Sequence, residues 1–192
     1  MQQLVFATNN KHKLQEVAAK IQGRINLLSL DDIGCFDEIA ETGHTFRENA
    51  SIKSNYIYHK YQLNCFGDDS GLEIDALNGE PGVYSARYAG KQGDHEANIN
   101  KVLDKLRSTD NRKARFRTAI SLIWNGEEHF FEGAVEGTIR RERSGLEGFG
   151  YDPIFQPDGH AITFAEMSLD EKNMISHRAI AVEKLVAFLG TV

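Results

Sequence analysis

Residues 114–139, ARFRTAISLIWNGEEHFFEGAVEGTI, decide how this chain folds. Phe116, Thr118, Ile120, Leu122 and Trp124 recur at every second position, the period of a strand with one face turned inward. The run stops at Asn125-Gly126, a pair that accepts the left-handed backbone of a tight type I′ turn. Apolar residues resume beyond it, so the spacing predicts a long antiparallel hairpin.

Upstream of the hairpin, strands and helices alternate. Residues 3–7 (QLVFA) read as a short buried strand, which runs through TNNKHK (8–13) into a helix carrying Leu14, Val17, Ala18 and Ile21 up to Gly23. Residues 25–30 read as a second strand, and Thr45 with Glu48 forms a capping box that opens a helix to about Tyr61. A short apolar run, LNCF (63–66), leads into an acidic stretch. A helix near 96–107 places Ile99, Val102, Leu103 and Leu106 on one face. The last helix begins near Ser176 and aligns Val182, Leu185, Val186 and Leu189 before Gly190. Alternation followed by a hairpin predicts an α/β protein with a mixed sheet, and residues 1–192 read as one domain with lobes.

Bulk properties narrow the functional classes. With 22 Lys and Arg against 28 Asp and Glu the formal charge is −6, which disfavours capture of duplex nucleic acid or of an anionic membrane. A small phosphorylated ligand needs only a local cluster of cations. Cys35 and Cys65 lack CxxC spacing and read as ordinary buried thiols. MQQLVFATNNK has no basic leader pattern, and no window approaches a membrane span, so a cytoplasmic protein is expected.

Four segments carry candidate chemistry. ATNNKHK (7–13) places small polar residues and lysines where a strand opens a helix, a position suited to phosphate, although Asn10 could equally serve as a simple helix cap. The Walker pattern G-x-x-x-x-G-K-[ST] is absent, which argues against a P-loop NTPase. GDDSGLEIDALNGEPGVYSARYAG (67–90) sets Asp68 beside Asp69, a hard oxygen site for Mg²⁺ if it lies on a strand and a solvated turn if it does not. On a strand the two carboxylates would face opposite ways, so one would need a different role. In EGFGYDPIF (147–155), glycines flank Phe149 and would let a flat ligand approach, with Tyr151 and Asp152 alongside; a Pro153 corner would look similar. In EKNMISHRAIA (171–181), Ser176 reads as an N-cap. His177 and Arg178 then occupy the first turn, where the dipole repels a cation unless an anionic or carbonyl-bearing group answers it.

Together with ETGHTFRENA (41–50), the order of these blocks from Leu4 to Leu189 resembles the inosine triphosphate pyrophosphatase family. The resemblance implies an elongated mixed sheet with helices and two lobes around a central substrate cleft, in a homodimer. It implies Mg²⁺-dependent hydrolysis of ITP, dITP and XTP to the monophosphate and pyrophosphate, which cleanses the nucleotide pool. By the same resemblance Thr8, Asn9, Asn10, Lys11, His12 and Lys13 would hold the phosphates. Asp69 would be general base and metal ligand, Glu41 a further metal ligand, and Ser70 a substrate contact. Phe149, Gly150, Tyr151 and Asp152 would line the base pocket with Lys172, His177 and Arg178. Two other classes fit parts of the pattern: a nucleotide-binding regulator without turnover, and a metal-dependent phosphatase acting on monophosphates.

Overall fold

The computed structural model describes residues 2–21 and 25–191. Among these residues six strands form one sheet in the order β2-β1-β3-β4-β5-β6. The strands are β1 (Gln2–Phe6), β2 (Ile25–Leu28), β3 (Cys65–Ile74), β4 (Lys113–Trp124), β5 (Glu127–Ile139) and β6 (Phe155–Pro157). β1 pairs in parallel with β2 (Gln2 opposite Ile25) and with β3 (Val5 opposite Cys65), while β6 runs antiparallel to β5. The sheet is therefore mixed, as expected. Five α-helices accompany it: α1 (Lys11–Ile21), α2 (Phe46–Tyr61), α3 (His95–Lys105), α4 (Leu169–Ile175) and α5 (His177–Leu189).

The chain divides into two compact units, and β3, β4 and β5 each pass from one to the other. The first unit comprises Met1–Asp69, Thr118–Gly133 and Arg178–Val192. Its strands are covered on both faces, the arrangement that buries parallel strands. Leu4 and Phe6 of β1 pack with Val17 and Ile21 of α1 and with Val182 and Leu185 of α5. The alternate residues Val5 and Ala7 pack with Ile57 of α2 and with Cys65 and Ile123. Phe6 and Phe66 stack with ring centroids 4.3 Å apart. At the hairpin, Asn125 and Gly126 both take positive φ (51° and 89°), the I′ geometry that their identities dictate.

The second unit comprises Ser70–Arg117 and Ala134–His177. Its core joins Leu72 and Ile74 of β3 to Ile99 and Val102 of α3, Phe116 of β4, and Tyr151, Phe155 and Phe164 of the segment after β5. A buried arginine ties this segment down through main-chain carbonyls: Arg112 donates from Nε to Ile139 O (2.6 Å), from Nη1 to Leu106 O (2.9 Å) and from Nη2 to Arg140 O (2.9 Å).

Several local expectations are corrected. α4 is a helix the sequence pattern did not suggest; Ser176 closes it in extended backbone and directly precedes α5, so the last helix begins where expected. α4 itself opens on a capping box, with Ser168 accepting from Glu171 N at 3.2 Å. At α2 Thr45 accepts from Glu48 N, but the Glu48 carboxylate reaches beyond the cap to His44 N at 2.6 Å. β2 ends at Leu28, two residues short of the expected range, and Gly23 lies outside the described residues. Both cysteines are buried, and burial pushes the Cys65 thiol up to about 12. Among the described residues no helix is long and apolar enough to cross a membrane.

Gly67 sets how closely α2 rests on β3. A Cβ at that position would lie 2.6 Å from Ala50 O and 2.9 Å from the Cβ of Lys53, so the helix occupies the space a side chain would need. Gly67→Ala should destabilise the fold by about 1–3 kcal/mol through forced displacement, read as a lowered urea midpoint at unchanged slope.

Candidate active site

Around Asp68 and Asp69 the first unit gathers polar and charged groups from four segments. The loop before α1 is locked internally. Asn10 N donates to Thr8 Oγ1 (3.2 Å), and Asn10 Oδ1 accepts from His12 N (3.0 Å) and Lys13 N (3.2 Å). Asn10 is thus a true helix cap, and two of the amides that a phosphate could have used already have a partner. Asn9, Lys11 and His12 are exposed at this tip, whereas Lys13 turns inward.

Asp68 and Asp69 lie inside β3, not in a turn, and both are buried. The alternation of the strand gives them separate partners, as the sequence required. Asp68 Oδ1 accepts from Lys13 Nζ at 2.9 Å and Oδ2 from Arg178 Nε at 3.4 Å. Arg178 Nη1 in turn donates to Glu16 Oε2. The cation on the first turn of α5 is therefore answered by two buried carboxylates. Asp69 Oδ2 accepts from Asn49 Nδ2 at 2.9 Å, and Asn49 Oδ1 is fixed by Gly43 N at 2.8 Å. Close by, Lys53 Nζ donates to Glu41 Oε1 at 2.8 Å.

Electrostatics separates the neighbouring aspartates. Burial opposes the charge on Asp68, but Lys13, Arg178 and Lys53 outweigh it and hold the carboxyl well below the usual carboxylate range. For Asp69 burial dominates and pushes the carboxyl up; Glu41 adds repulsion, and Lys53, Lys13 and the Asn49 hydrogen bond compensate only in part. Lys13 is lowered by burial and by its cationic neighbours Lys53 and Arg178, against the pull of Asp68.

The donor set suits a hard divalent cation. Asp69 and Glu41 offer carboxylate oxygens whose mutual repulsion such an ion would relieve. Among the described residues no three or more His, Cys, Asp or Glu side chains assemble into a cage. Magnesium does not need one, because it binds through one or two carboxylates together with phosphates and water.

The second unit holds the other candidates. Lys172 Nζ donates to Asp152 Oδ2 at 2.7 Å, a buried pair, and lies 4.9 Å from the centroid of the Phe149 ring. The same Asp152 oxygen accepts from Phe149 N at 2.9 Å. Gly148 makes this possible: its φ is +75°, and a Cβ there would sit 2.1 Å from Asp152 Oδ2. Gly150 also takes positive φ, +63°. The loop thus presents a half-buried phenyl ring with an ammonium fixed above it. Tyr151 does not join that surface; it is buried in the core, where its hydroxyl donates to Ser85 O at 2.8 Å. His177 stacks on Phe116 with centroids 4.8 Å apart and planes within 11°. Ser70, half-buried on β3, follows directly after Asp69.

Asn49, Lys53 and Glu16 escaped sequence reasoning. For the first two a signal existed: they fall at i and i+4 on the buried stripe of α2 with Phe46, Ala50 and Ile57, where an amide and a lysine are out of place. Glu16 likewise sits beside Val17 on the buried side of α1.

Fold and site together define an α/β protein whose central strand carries a buried carboxylate–lysine centre. The sequence pattern of the Ham1 family matches residues 4–188, and the chain belongs to that family. It is 50% identical over 190 residues to a dITP/XTP pyrophosphatase of Porphyromonas gingivalis, covering 98% of each chain. A dITP/XTP pyrophosphatase of Christiangramia forsetii is 51% identical over 187 residues, covering 97% of this chain and 98% of the other. Among solved structures, a HAM1 protein from Coxiella burnetii superimposes with a TM-score of 0.92 at 40% identity over the whole of both chains.

Neutralising the two aspartates should have opposite effects on folding. The carboxyl of Asp68 is depressed in the folded state, so it stabilises the fold at neutral pH and that contribution is lost as pH falls through the depressed value. The carboxyl of Asp69 is raised, so its contribution is present at low pH and is lost as pH rises through the raised value. At pH 7 in chelator-treated protein, Asp68→Asn should cost about 3–5 kcal/mol by stranding buried cations, whereas Asp69→Asn should be neutral or stabilising. Urea unfolding of the two variants reads the contrast.

Proposed function

We propose that the chain hydrolyses the noncanonical purine nucleoside triphosphates ITP, dITP and XTP to the monophosphate and pyrophosphate, as a cytoplasmic homodimer that removes them from the nucleotide pool. The observation that carries this reading is the Asp69 carboxylate, buried beside Glu41 and Lys53 and oriented by Asn49. Relatives at 50% and 51% identity named dITP/XTP pyrophosphatase support it.

Lys13 and Lys53 supply positive charge for the triphosphate, with Thr8, Asn9, Asn10, Lys11 and His12 at the helix tip and Ser70 as further contacts. Asp69 and Glu41 would hold Mg²⁺, which when bound neutralises phosphate charge and polarises the attacking water. Asp69 orients that water toward the α-phosphorus and takes its proton. A carboxyl raised by burial is a better proton acceptor than an exposed one, and Asn49 holds it in a single orientation.

For the base, Phe149 offers a ring face and Lys172, anchored by Asp152, a donor at its edge. Hypoxanthine and xanthine carry a C6 carbonyl that accepts from Lys172, His177 or Arg178; adenine carries an amine there and leaves such donors opposed. Buried mismatches of this kind discriminate strongly.

A nucleotide panel assayed for pyrophosphate and orthophosphate in parallel tests the reading. ITP and XTP should release pyrophosphate with kcat/KM at least about 10²-fold above ATP. Orthophosphate as the first product, or equal rates with GTP, would refute it. Asp69→Asn should lower kcat by about 10²–10⁴-fold with little change in nucleotide affinity. Phe149→Ala should mainly raise KM, by about tenfold, through loss of stacking worth about 1–1.5 kcal/mol. Light scattering should give twice the 21.5 kDa chain mass.

A further inference from the structure

Glu16 is a buried carboxylate that the proposed chemistry leaves without a task. It lies on α1 one helical turn beyond Lys13 and engages Arg178 Nη1. Arg178 Nε donates to Asp68 Oδ2, and Asp68 Oδ1 accepts from Lys13 Nζ. Lys13 and Glu16 share a helix, so this row of contacts leaves α1 and returns to it. Two cations alternate with two anions in a formally neutral row, all four members belonging to the first unit.

We propose that Glu16 is a positioning residue for the phosphate grip: by engaging Arg178 it leaves Asp68 to fix the ammonium of Lys13 where the triphosphate tail is held. The inference rests on the reading of Lys13 as a phosphate ligand. A guanidinium offers a planar fork that matches both oxygens of a carboxylate, whereas an ammonium is a point donor on a flexible stem. With an uncharged side chain at 16, Asp68 faces both buried cations alone and turns its two oxygens to Arg178. Lys13, already repelled by Lys53 and Arg178, then loses the anchor that determines its direction. Glu16 touches no reacting atom in this scheme; it acts through Arg178 and Asp68.

Calorimetric titration of inorganic pyrophosphate with Mg²⁺ into the full-length wild type, Glu16→Gln and Glu16→Asp tests this, because a dissociation constant does not depend on the fraction of protein correctly folded. Glu16→Gln should weaken pyrophosphate binding about tenfold or more, with a parallel fall in kcat/KM for ITP. Glu16→Asp, which keeps the charge but loses reach, should fall between it and the wild type. A Glu16→Gln protein that binds pyrophosphate within about twofold of wild type, whatever its melting temperature, would show Glu16 to be structural only and overturn the proposal. Should Glu16→Gln fail to fold, the Glu16→Asp dissociation constant decides by the same criterion. Wild-type protein that binds pyrophosphate yet releases none from ITP would instead overturn the proposed reaction, leaving the comparison of variants to judge Glu16.

Discussion

A carboxylate with no solvent around it must find positive charge, and Asp68 finds it on two helices distant in sequence. Lys13 arrives on the first turn of α1 and Arg178 on the first turn of α5, so one side chain on β3 fixes both helix starts against the strand. Apolar packing alone would hold α1 and α5 to the sheet through Val17, Ile21, Val182 and Leu185, but such contacts are non-directional. The ion pairs set where along the strand each helix begins. They also explain why Arg178 is tolerated at the positive end of a helix dipole.

Once Asp68 is committed to that task, Asp69 is left on the other side of the strand with a different environment. It meets an amide and a second carboxylate, along with a lysine already engaged by Glu41. Adjacent residues of one type thus divide into a carboxylate held charged by cations and a carboxyl raised by burial, and the division follows from the two-residue period of the strand. Gly67 contributes by its missing side chain. It lets α2 lie close enough for Asn49 and Lys53, on the helix face turned to the strand, to reach their carboxylate partners.

What the sequence made legible was whatever depends on neighbours along the chain. The I′ turn at Asn125-Gly126, the Thr45 cap of α2, the strand–helix passage through Thr8–Lys13 and the apolar stripe of α5 all follow from local chemistry. α4 was missed because its seven residues carry no apolar period, and the Ser168 that opens its capping box lies before the segment that drew attention. Tyr151 read as a ligand face because aromatic residues beside glycines can serve either purpose, and here the Ser85 carbonyl draws its hydroxyl into the core. Glu16, Asn49 and Lys53 are defined by partners across space. A buried polar residue on an apolar stripe announces that a partner exists without saying which one.

The pairing of Glu16 and Asp68 with Arg178 spans 162 and 110 residues of chain. During synthesis on the ribosome, both acids are made long before the arginine they share has been translated. The nascent first unit, itself assembled from three separate segments, must therefore wait in an incomplete state while more than a hundred further residues are added. A translational pause placed before Arg178 would prolong that interval, during which Asp68 can pair with Lys13 but not with its second cation.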